Sequence, residues 1–485
     1  MQIDKAKKFS DWYNTIIKEA KLCDLRYNLK GFIVFMPWSV LTMEKMYQHY
    51  EQALQRRGHA PAWFPALIPE EYLLKESEHV AGFVPEVLWV TQAGKEKLEQ
   101  KYAMRPTSET AMYPIYALWI NGIKDLPLKI YQRGQVWRHE TKATRPFIRS
   151  REFYWIEAHD AFATEREALA QVKEDMETAE EVLHESWGIP FIFFKRPQWD
   201  KFAGAVDTYA ADTILPDGKA LQLPSTHFLG QNFSKVFDVK YMDEQGKEQF
   251  VWQTCYGPAI SRIYAALIAT HGDEKGLVLP FDLAPVQIVI VPIYRGDNKK
   301  IIDSECEKIR KTLIDNELSV KFDDSEQTPG YKFNFWEMKG VPLRLEIGER
   351  DIADKSVMIA RRDSKEKREK IKVKISDLAK KINELKNEIN KSLLDRADIE
   401  FKNRLSKAND IGELNKILDK NSGFVRIAFC TDQMQGAACA DKIKDVTHAN
   451  IRGSLFNSKE KPDAKDLCVS CGKKASIYLY AARQY

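Results

Sequence analysis

Apolar and polar positions along the first 280 residues follow helical and strand periods in turn, without a repeating strand–helix–strand rhythm. Residues 39–57 carry a helical pattern, with Ser39 as the predicted N-cap and Gly58 and Pro61 as the stop. Short runs at 128–131, 153–156 and 191–194 have the composition of strands, and 165–186 has the pattern of a charged amphipathic helix. Strands grouped in this way, with interspersed helices, predict a mixed α/β fold on a largely antiparallel sheet flanked by helices.

The pattern changes after a segment with two prolines at 276–285. Strand-like runs at 286–292, 319–323, 341–347 and 357–361, with a helix at 298–316 after the first, predict a compact α/β domain. A long helix leads out of it, since apolar residues recur every three or four positions from 375 to 389. The predicted divisions are a first domain (1–280), a second domain (281–385), a helical linker (386–408) and a small α+β C-terminal domain (409–485).

Composition places the chain among soluble globular proteins, because 44% of its 485 residues are hydrophobic and 30% are charged. The net charge of +4 is compatible with a polyanionic partner or with a solvated surface. The N-terminus lacks the apolar core of a signal peptide, and the longest apolar runs are far shorter than the ~20 residues that span a bilayer. We therefore expect a cytoplasmic protein with no membrane partner.

The densest chemical signal is a set of two arginines, a carboxylate and an aromatic residue: Arg138, Glu140, Arg149 and Phe153. An isolated Arg-x-Glu is usually a surface ion pair, but the spaced set suits a bent ATP. Arg138 could fork onto the α-phosphate and a substrate carboxylate, Glu140 could accept from the adenine amino group, and Phe153 could stack on the purine. Arg149 would serve the γ-phosphate.

These residues match motif 2 of the class II aminoacyl-tRNA synthetases, which the chain resembles. Motif 3 of that class would be the turn at Gly257 that leads to Arg262, although Ala259 and Ile260 stand where a second glycine is common. Arg262 would close over adenine and bind the γ-phosphate. Motif 1, a dimer-interface element, would be the helix at 43–57 with Pro65.

Within that class, the chain resembles the prolyl-tRNA synthetases of the archaeal and eukaryotic-cytosolic branch over nearly its whole length. The matching stretches are RPTSET, REFYWIEAH, KFAGA, the run from Gln222 to His227, and LGQNFSK. The resemblance implies L-proline, ATP with Mg²⁺ and tRNA(Pro) as ligands, a homodimer, and catalysis by Arg138 and Arg262 without a protein nucleophile. It implies that Thr107 and Glu109 bind the proline ammonium and Arg138 its carboxylate, and that Gln222 and Ser225 lie near ATP. The ring pocket implied by the family consists of Trp155, Glu157, His159, Phe202 and His227.

The short gap between His159 and Gln222 bears on fidelity. Because the gap already contains a helix and strands, it has no room for the large editing insertion of the bacterial branch. A small apolar side chain is discriminated by only ~1–3 kcal/mol per methylene. We therefore expect some misactivation of alanine or cysteine.

The second domain resembles the anticodon-binding domain of this subclass. Its run from 340 to 351 carries Arg344, Glu346, Arg350 and Asp351 on or beside a strand, where such groups could read splayed bases. Without the resemblance, the alternating charges would equally suit the polar face of a strand.

Four of the seven cysteines lie after residue 429, too few and too local for a secreted disulfide framework. Cys468-x-x-Cys471, with Cys430 and Cys439, has the ligands of a four-sulfur structural zinc site. Unpaired buried thiols and redox or iron–sulfur chemistry are the alternatives. Asp432, Asp441 or His448 could replace Cys439, and Tyr485 matches a terminal tyrosine whose carboxylate reaches toward the catalytic domain in relatives.

Two rival functions remain from the sequence. One is another synthetase of the subclass, for threonine, glycine or histidine, against which Thr107, Glu109 and the run from Trp155 to His159 argue. The other is a synthetase-like regulatory or nucleic-acid-binding protein, which we would expect to have lost Arg138, Arg149 and Arg262.

Overall fold

The first part of the chain builds a large sheet and its surrounding helices. The computed structural model describes residues 3–79, 87–140, 143–364 and 369–485. The strands of this part are β1 (Cys23–Asp24), β2 (Val34–Phe35), β3 (Ala60–Pro61), β4 (Leu67–Pro69), β5 (Trp89–Ala93), β6 (Glu96–Met104), β7 (Leu128–Trp137), β8 (Glu152–Phe162), β9 (Ile192–Lys195), β10 (Asp207–Ile214), β11 (Ala220–Gly230), β12 (Lys240–Met242), β13 (Glu248–Phe250) and β14 (Trp252–Gly257). The helices are α1 (Phe9–Glu19), α2 (Pro37–Arg56), α3 (Glu70–His79), α4 (Glu109–Trp119), α5 (Glu165–Ala179), α6 (Asn232–Val236) and α7 (Ile260–His271).

The central sheet has the order β9-β10-β11-β14-β8-β7-β3, antiparallel except for the parallel pair β3–β7. Side chains alternate between the two faces of a strand. On β8, Phe153, Trp155, Glu157 and His159 therefore share one face, while Ile156 and Ala158 join the main core with α1, α2 and α7 on the other. The predicted antiparallel sheet flanked by helices is confirmed.

Several local predictions differ from the structure. Helix α2 begins at Pro37 after the N-cap residue Met36, because proline lacks an N–H and suits the first helical position. The predicted cap at Ser39 is therefore wrong: its hydroxyl is buried in the first turn and donates to the carbonyls of Leu22 (2.6 Å) and Met36 (2.8 Å). The helix expected at 165–186 consists of α5 and a π-helical extension, Glu180–Ser186.

The second domain is a five-stranded sheet of order β16-β15-β17-β18-β19, parallel at β16-β15-β17 and antiparallel beyond. Its α/β character was predicted correctly. Leu378 to Leu393 of its last helix contribute to its core, so that helix continues across residue 385 without a break. The elements are β15 (Ile288–Ile293), α8 (Lys299–Asp315), β16 (Val320–Phe322), α9 (Pro329–Lys339), β17 (Leu343–Gly348), α10 (Glu349–Ala353), β18 (Ser356–Arg361), β19 (Ile371–Lys374) and α11 (Leu378–Lys402).

The C-terminal part has its own core but shares a sheet with the first domain. Its elements are β20 (Leu405–Ala408), α12 (Ile411–Lys420), β21 (Phe424–Phe429), α13 (Ala437–Thr447), β22 (Asn450–Leu455) and β23 (Ile477–Ala482). Strand β22 pairs with β9 (Ser454 with Lys195), which extends the central sheet to eleven strands. Gly453 permits this approach, since its φ is +126° and a Cβ there would lie 2.1 Å from the Lys195 carbonyl oxygen.

Among the described residues, no helix has both the length and the apolar character needed to cross a membrane.

Candidate active site

A cavity of about 360 Å³ opens on the face of the central sheet that carries Trp155 and His159. It collects most residues that the sequence selected: Thr107, Glu109, Arg138, Phe153, Trp155, Glu157, His159, Phe202, Gln222, Ser225, His227 and Arg262. These side chains come from β8, β11, the N-terminus of α4, the start of α7 and three loops, one of which follows β7. Antiparallel pairing of β7 with β8 brings Arg138, which follows β7, beside Phe153.

One end of the cavity is acidic. Buried Glu157 accepts a bond from the Ser108 hydroxyl, and its Oε1 lies 3.1 Å from both Ser108 N and Thr107 Oγ1. The Thr107 hydroxyl also donates to Glu109. Burial alone would raise the pKa of Glu157, but bonds from His159 and Ser108 hold it below its usual value. The end therefore presents an ionised Glu157 carboxylate in a fixed position.

Histidines and aromatic rings form the walls next to these carboxylates. His159 Nδ1 lies 3.0 Å from the Tyr113 hydroxyl and Nε2 lies 3.6 Å from Glu157. Burial lowers the pKa of His159, but the bond with Glu157 and the charge of Glu109 outweigh burial, so the net shift is upward. Burial lowers the pKa of His227 to about 3, so that ring is neutral; its centroid lies 4.9 Å from that of Phe202.

The other end of the cavity is basic. The Arg138 guanidinium lies 5.3 Å from the ring centroids of both Phe153 and Trp155, and its Nε donates to the Pro106 carbonyl (2.9 Å). Arg262 Nε donates to the Ile148 carbonyl (3.2 Å). Burial, followed by the charges of Arg138 and Arg149, lowers the pKa of Arg262 to about 10. Clustered cations of this kind favour binding of a polyanion.

Glu140 and Arg149, two of the predicted ATP residues, lie beside the cavity rather than on its wall. Arg149 Nε is 3.7 Å from Glu140 Oε2, and both side chains are about one quarter exposed. Arg145 holds the loop that carries them in place. Its backbone pairs with that of Arg149 in an isolated bridge, and its guanidinium lies over the rings of Tyr13 and Tyr485.

The cavity wall also contains residues that sequence reasoning missed. They are Arg196, Asp200, Lys201, Thr208, Leu223, Cys255, Tyr256, Arg452 and Gln484; Gly257 and Ala259 of the predicted motif 3 also line the cavity. The KFAGA run already contained Lys201, and the motif 3 stretch contained Cys255, so both could have been found there. Arg452 and Gln484 come from the C-terminal domain, and no local sequence signal connects them to this cavity.

The four cysteines after residue 429 meet in one cluster. Their sulfur atoms all lie within 4.8 Å of one another, and Cys430 Sγ is 3.7 Å from Cys439 Sγ. Four sulfurs around Zn²⁺ with bonds of ~2.3 Å would be separated by ~3.8 Å, so the donor set fits a tetrahedral zinc site.

The residues predicted to read the anticodon fall into two groups. Arg344 and Glu346 on β17 pair with each other at 3.1 Å, and Lys370 lies 2.5 Å from the same buried Glu346. Arg350 is exposed on α10, whereas Asp351 caps that helix by accepting from Gly348 N (2.9 Å).

Tyr485 packs against the first domain through its side chain. Its hydroxyl donates to Asp217 and lies 3.1 Å from Arg145 Nη1, and its ring is 6.3 Å from that of Phe9.

An antiparallel sheet with an arginine after each of two strands, facing one another over a cavity, defines a class II aminoacyl-tRNA synthetase core. Residues 89–271 match the family described as tRNA synthetase class II core domain (G, H, P, S and T). Residues 287–385 match the anticodon binding domain, and residues 411–485 match the C-terminal domain of prolyl-tRNA synthetase.

Relatives that match over the full length of the chain identify the family within this class. The chain is 49% identical to the proline–tRNA ligase of Thermofilum pendens, over all of this chain and 98% of that protein. It is 40% identical to the proline–tRNA ligase of Pyrococcus abyssi, covering 99% and 98%. A solved structure, the Giardia lamblia prolyl-tRNA synthetase in complex with prolyl-adenylate, matches with a TM-score of 0.94 at 32% identity, covering 99% of each chain. The chain belongs to the prolyl-tRNA synthetase family.

Proposed function

We propose that this protein activates L-proline with ATP and transfers the prolyl group to the 3′ end of tRNA(Pro). The observation that carries the proposal is the polarity of its cavity, with buried carboxylates at one end and arginines at the other. Proline would present its ammonium group to the carboxylates, and ATP would present its phosphates to the arginines. The Giardia relative that is named with prolyl-adenylate supports the same reading.

Proline fits the acidic end. Its secondary ammonium would donate to Glu109 and Thr107, while Arg138 would take its carboxylate. Trp155, Glu157, His159, Phe202 and His227 would enclose the apolar ring. Neutral His227, held by the hydroxyls of Thr208 (2.9 Å) and Ser225 (3.0 Å), adds no cation that would repel the ammonium.

ATP fits the basic end, with adenine between Phe153 and Arg262. Glu140 would accept from the adenine amino group, Arg149 and Arg262 would bind the γ-phosphate, and Gln222 and Ser225 would lie near the nucleotide. When Mg²⁺ is bound with ATP, it neutralises phosphate charge. In-line attack of the proline carboxylate on the α-phosphate would give prolyl-adenylate and pyrophosphate, with Arg138 stabilising the developing charge.

Transfer to tRNA requires attack by the terminal adenosine 3′-hydroxyl on the mixed anhydride. We propose that Arg344, Glu346, Arg350 and Asp351 contact the anticodon. Exposed Arg350 is the most accessible of them. Arg350→Ala is therefore expected to raise the KM for tRNA in aminoacylation and to leave pyrophosphate exchange unchanged.

The C-terminal cysteines would hold one structural Zn²⁺, which supplies fold stability. Metal analysis of freshly purified protein should find one zinc per chain, with loss in Cys468→Ser. Cys306→Ser, which changes a buried cysteine of α8, is the matched control and should retain the metal.

We propose that the domains divide after residues 280, 385 and 408.

We propose that the enzyme lacks a built-in editing domain. The described residues between β8 and β11 form α5, its π-helical extension, β9 and β10, and both strands belong to the central sheet. We also propose some misactivation of alanine or cysteine, since a small apolar side chain is discriminated by only ~1–3 kcal/mol per methylene. Either amino acid should then support measurable exchange, and complete inactivity with both would contradict the misactivation.

We propose a cytoplasmic homodimer. Several apolar side chains near α2 are exposed, including Leu25 (58%), Tyr27 (61%) and Leu41 (52%), and a second copy could cover them. Sedimentation should show a particle of twice the chain mass of 56.1 kDa.

The decisive test is ATP–pyrophosphate exchange with a panel of amino acids. Proline should give the highest kcat/KM, well above threonine, glycine and histidine. A different preferred amino acid would identify another synthetase, and silence with the whole panel would favour the regulatory rival.

A further inference from the structure

A buried ion cluster joins the C-terminal domain to the wall of the active-site cavity. Asp212 on β10 is fully buried and receives two guanidinium groups, one from each domain. Arg196 contacts its two oxygens at 2.9 and 2.8 Å, and Arg452 of β22 contacts them at 2.8 and 3.0 Å. Arg196 also donates to the Arg452 carbonyl (2.5 Å), so each residue holds the other.

The cluster reaches a residue of the nucleotide site. Arg196 Nη2 donates to Gln222 Oε1 at 3.2 Å, and Gln222 lines the cavity. That bond fixes the amide oxygen toward Arg196 and leaves the amide nitrogen as the end that can donate to a substrate oxygen. Arg452 Nη1 donates to Gln484, and residues 483–485 pair with the start of β11, the strand that carries Gln222.

The charges in the cluster do not cancel. One arginine would neutralise Asp212, yet two are present, and both are at most 4% exposed. A further carboxylate, that of Asp200, is 4.0 Å from Arg196, and its side chain is half exposed, so water screens its charge. Burying a second cation is costly unless a partner compensates it, and an anionic substrate in the adjacent cavity would do so.

We propose that Arg452 is a positioning residue for ATP, supplied to the catalytic cavity by the C-terminal domain. It acts through Asp212 and Arg196 to orient Gln222, and it adds positive charge to the nucleotide end. This inference rests on the proposed function and assigns to the C-terminal domain a part in amino-acid activation.

The test is steady-state pyrophosphate exchange with ATP and proline varied separately. Arg452→Met removes the charge but leaves a neutral Asp212–Arg196 pair, so the fold should survive. We expect the KM for ATP to rise about tenfold, with the KM for proline within twofold. Arg452→Lys retains the charge without the two-pronged contact and should lie between. Arg426→Met is the matched control in the same domain, because Arg426 pairs with half-exposed Glu460.

An unchanged KM for ATP in folded Arg452→Met, or equal rises in both KM values, would overturn the proposal. If that variant does not fold, a double-mutant cycle of Arg452→Lys and Gln222→Ala decides. In the Gln222→Ala background, Arg452→Lys should raise the KM for ATP no further. Additive increases in the KM for ATP would refute the coupling. Absence of proline-dependent exchange in the unsubstituted protein would instead refute the proposed function.

Discussion

The two ends of the catalytic cavity differ in how their charged side chains are compensated by neighbouring groups. At the acidic end, Glu109 and Glu157 are already bonded to Thr107, Ser108 and His159. At the basic end, the guanidinium groups of exposed Arg138 and half-buried Arg262 donate to carbonyl oxygens, which carry no full charge. Loss of hydration in the cavity lowers the pKa of both groups, so an anion bound beside them would be favourable.

The difference suggests how the work is divided between binding and chemistry. The acidic end is held rigid by its internal bonds and can select an amino acid by shape. The positive charges at the basic end are compensated only when a polyanion binds. The energy of that interaction is therefore available to stabilise the negative charge that develops on the α-phosphate. Substitutions at the two ends should therefore have separable effects, with Arg138 belonging to both.

The largest effect is expected from Arg138→Ala. Because Arg138 would contact both the proline carboxylate and the α-phosphate, its loss should abolish proline-dependent pyrophosphate exchange, lowering kcat/KM by at least ~10³-fold. Arg133→Ala, on the strand that precedes Arg138 but paired with Glu44 and Glu51, should retain most activity. Near-normal exchange in Arg138→Ala would refute the assignment.

Glu109→Gln tests the acidic end alone. The substitution keeps the shape but removes the charge that would face the ammonium, so kcat/KM for proline should fall ~10²-fold. The KM for ATP, from the same exchange assay, should stay within twofold. A comparable rise in the KM for ATP would show that the two ends are not independent.

Arg262→Gln tests the basic end alone and should have a smaller effect. Arg149 would still contact the γ-phosphate, so we expect the KM for ATP to rise ~10-fold to 30-fold. The KM for proline should change little. Arg310→Gln, in an exposed pair with Glu307 of the second domain, provides the matched control.

The sequence could predict those parts of the site that lie in short contiguous motifs. Arg138 and Phe153 flank one strand-loop-strand unit, so their proximity follows from local pairing. The anticodon-binding sheet was also predictable from its alternating strands and helices. Strand β11 was harder, because Gln222 to His227 mixes polar and apolar residues on both faces, and no strand was assigned there.

The junction of the domains could not be predicted in this way. Arg196 and Arg452 are 256 positions apart, and they meet where β22 pairs with β9 at Ser454 and Lys195. No local pattern encodes such a long-range pairing. The Ser39 error had a local cause, since a proline two positions earlier is the stronger helix-start signal.

The smallest effect is expected from a change at Asp175, which lies behind the acidic end of the cavity, on the opposite face of the sheet. Asp175 of α5 is buried there beside His59 and Asp160, and it accepts from Thr226 (2.6 Å) and Gln171 (2.8 Å). Burial, together with the charge of Asp160, raises the pKa of Asp175 to about 7. The folded state therefore binds this proton more tightly than the unfolded chain, where the pKa is ~3.9.

The resulting contribution to stability is fully present below pH ~4 and is lost as the pH rises through 7. Asp175→Asn cannot ionise, so its stability relative to the unsubstituted protein, measured by urea unfolding, should be ~2–3 kcal/mol more favourable at pH 8 than at pH 5. Exchange activity should be unchanged, because this face is separated from the cavity by the sheet. Exposed Asp445→Asn should show no such pH dependence, and a loss of stability at pH 8 in Asp175→Asn would mean that the carboxylate is ionised and stabilising there.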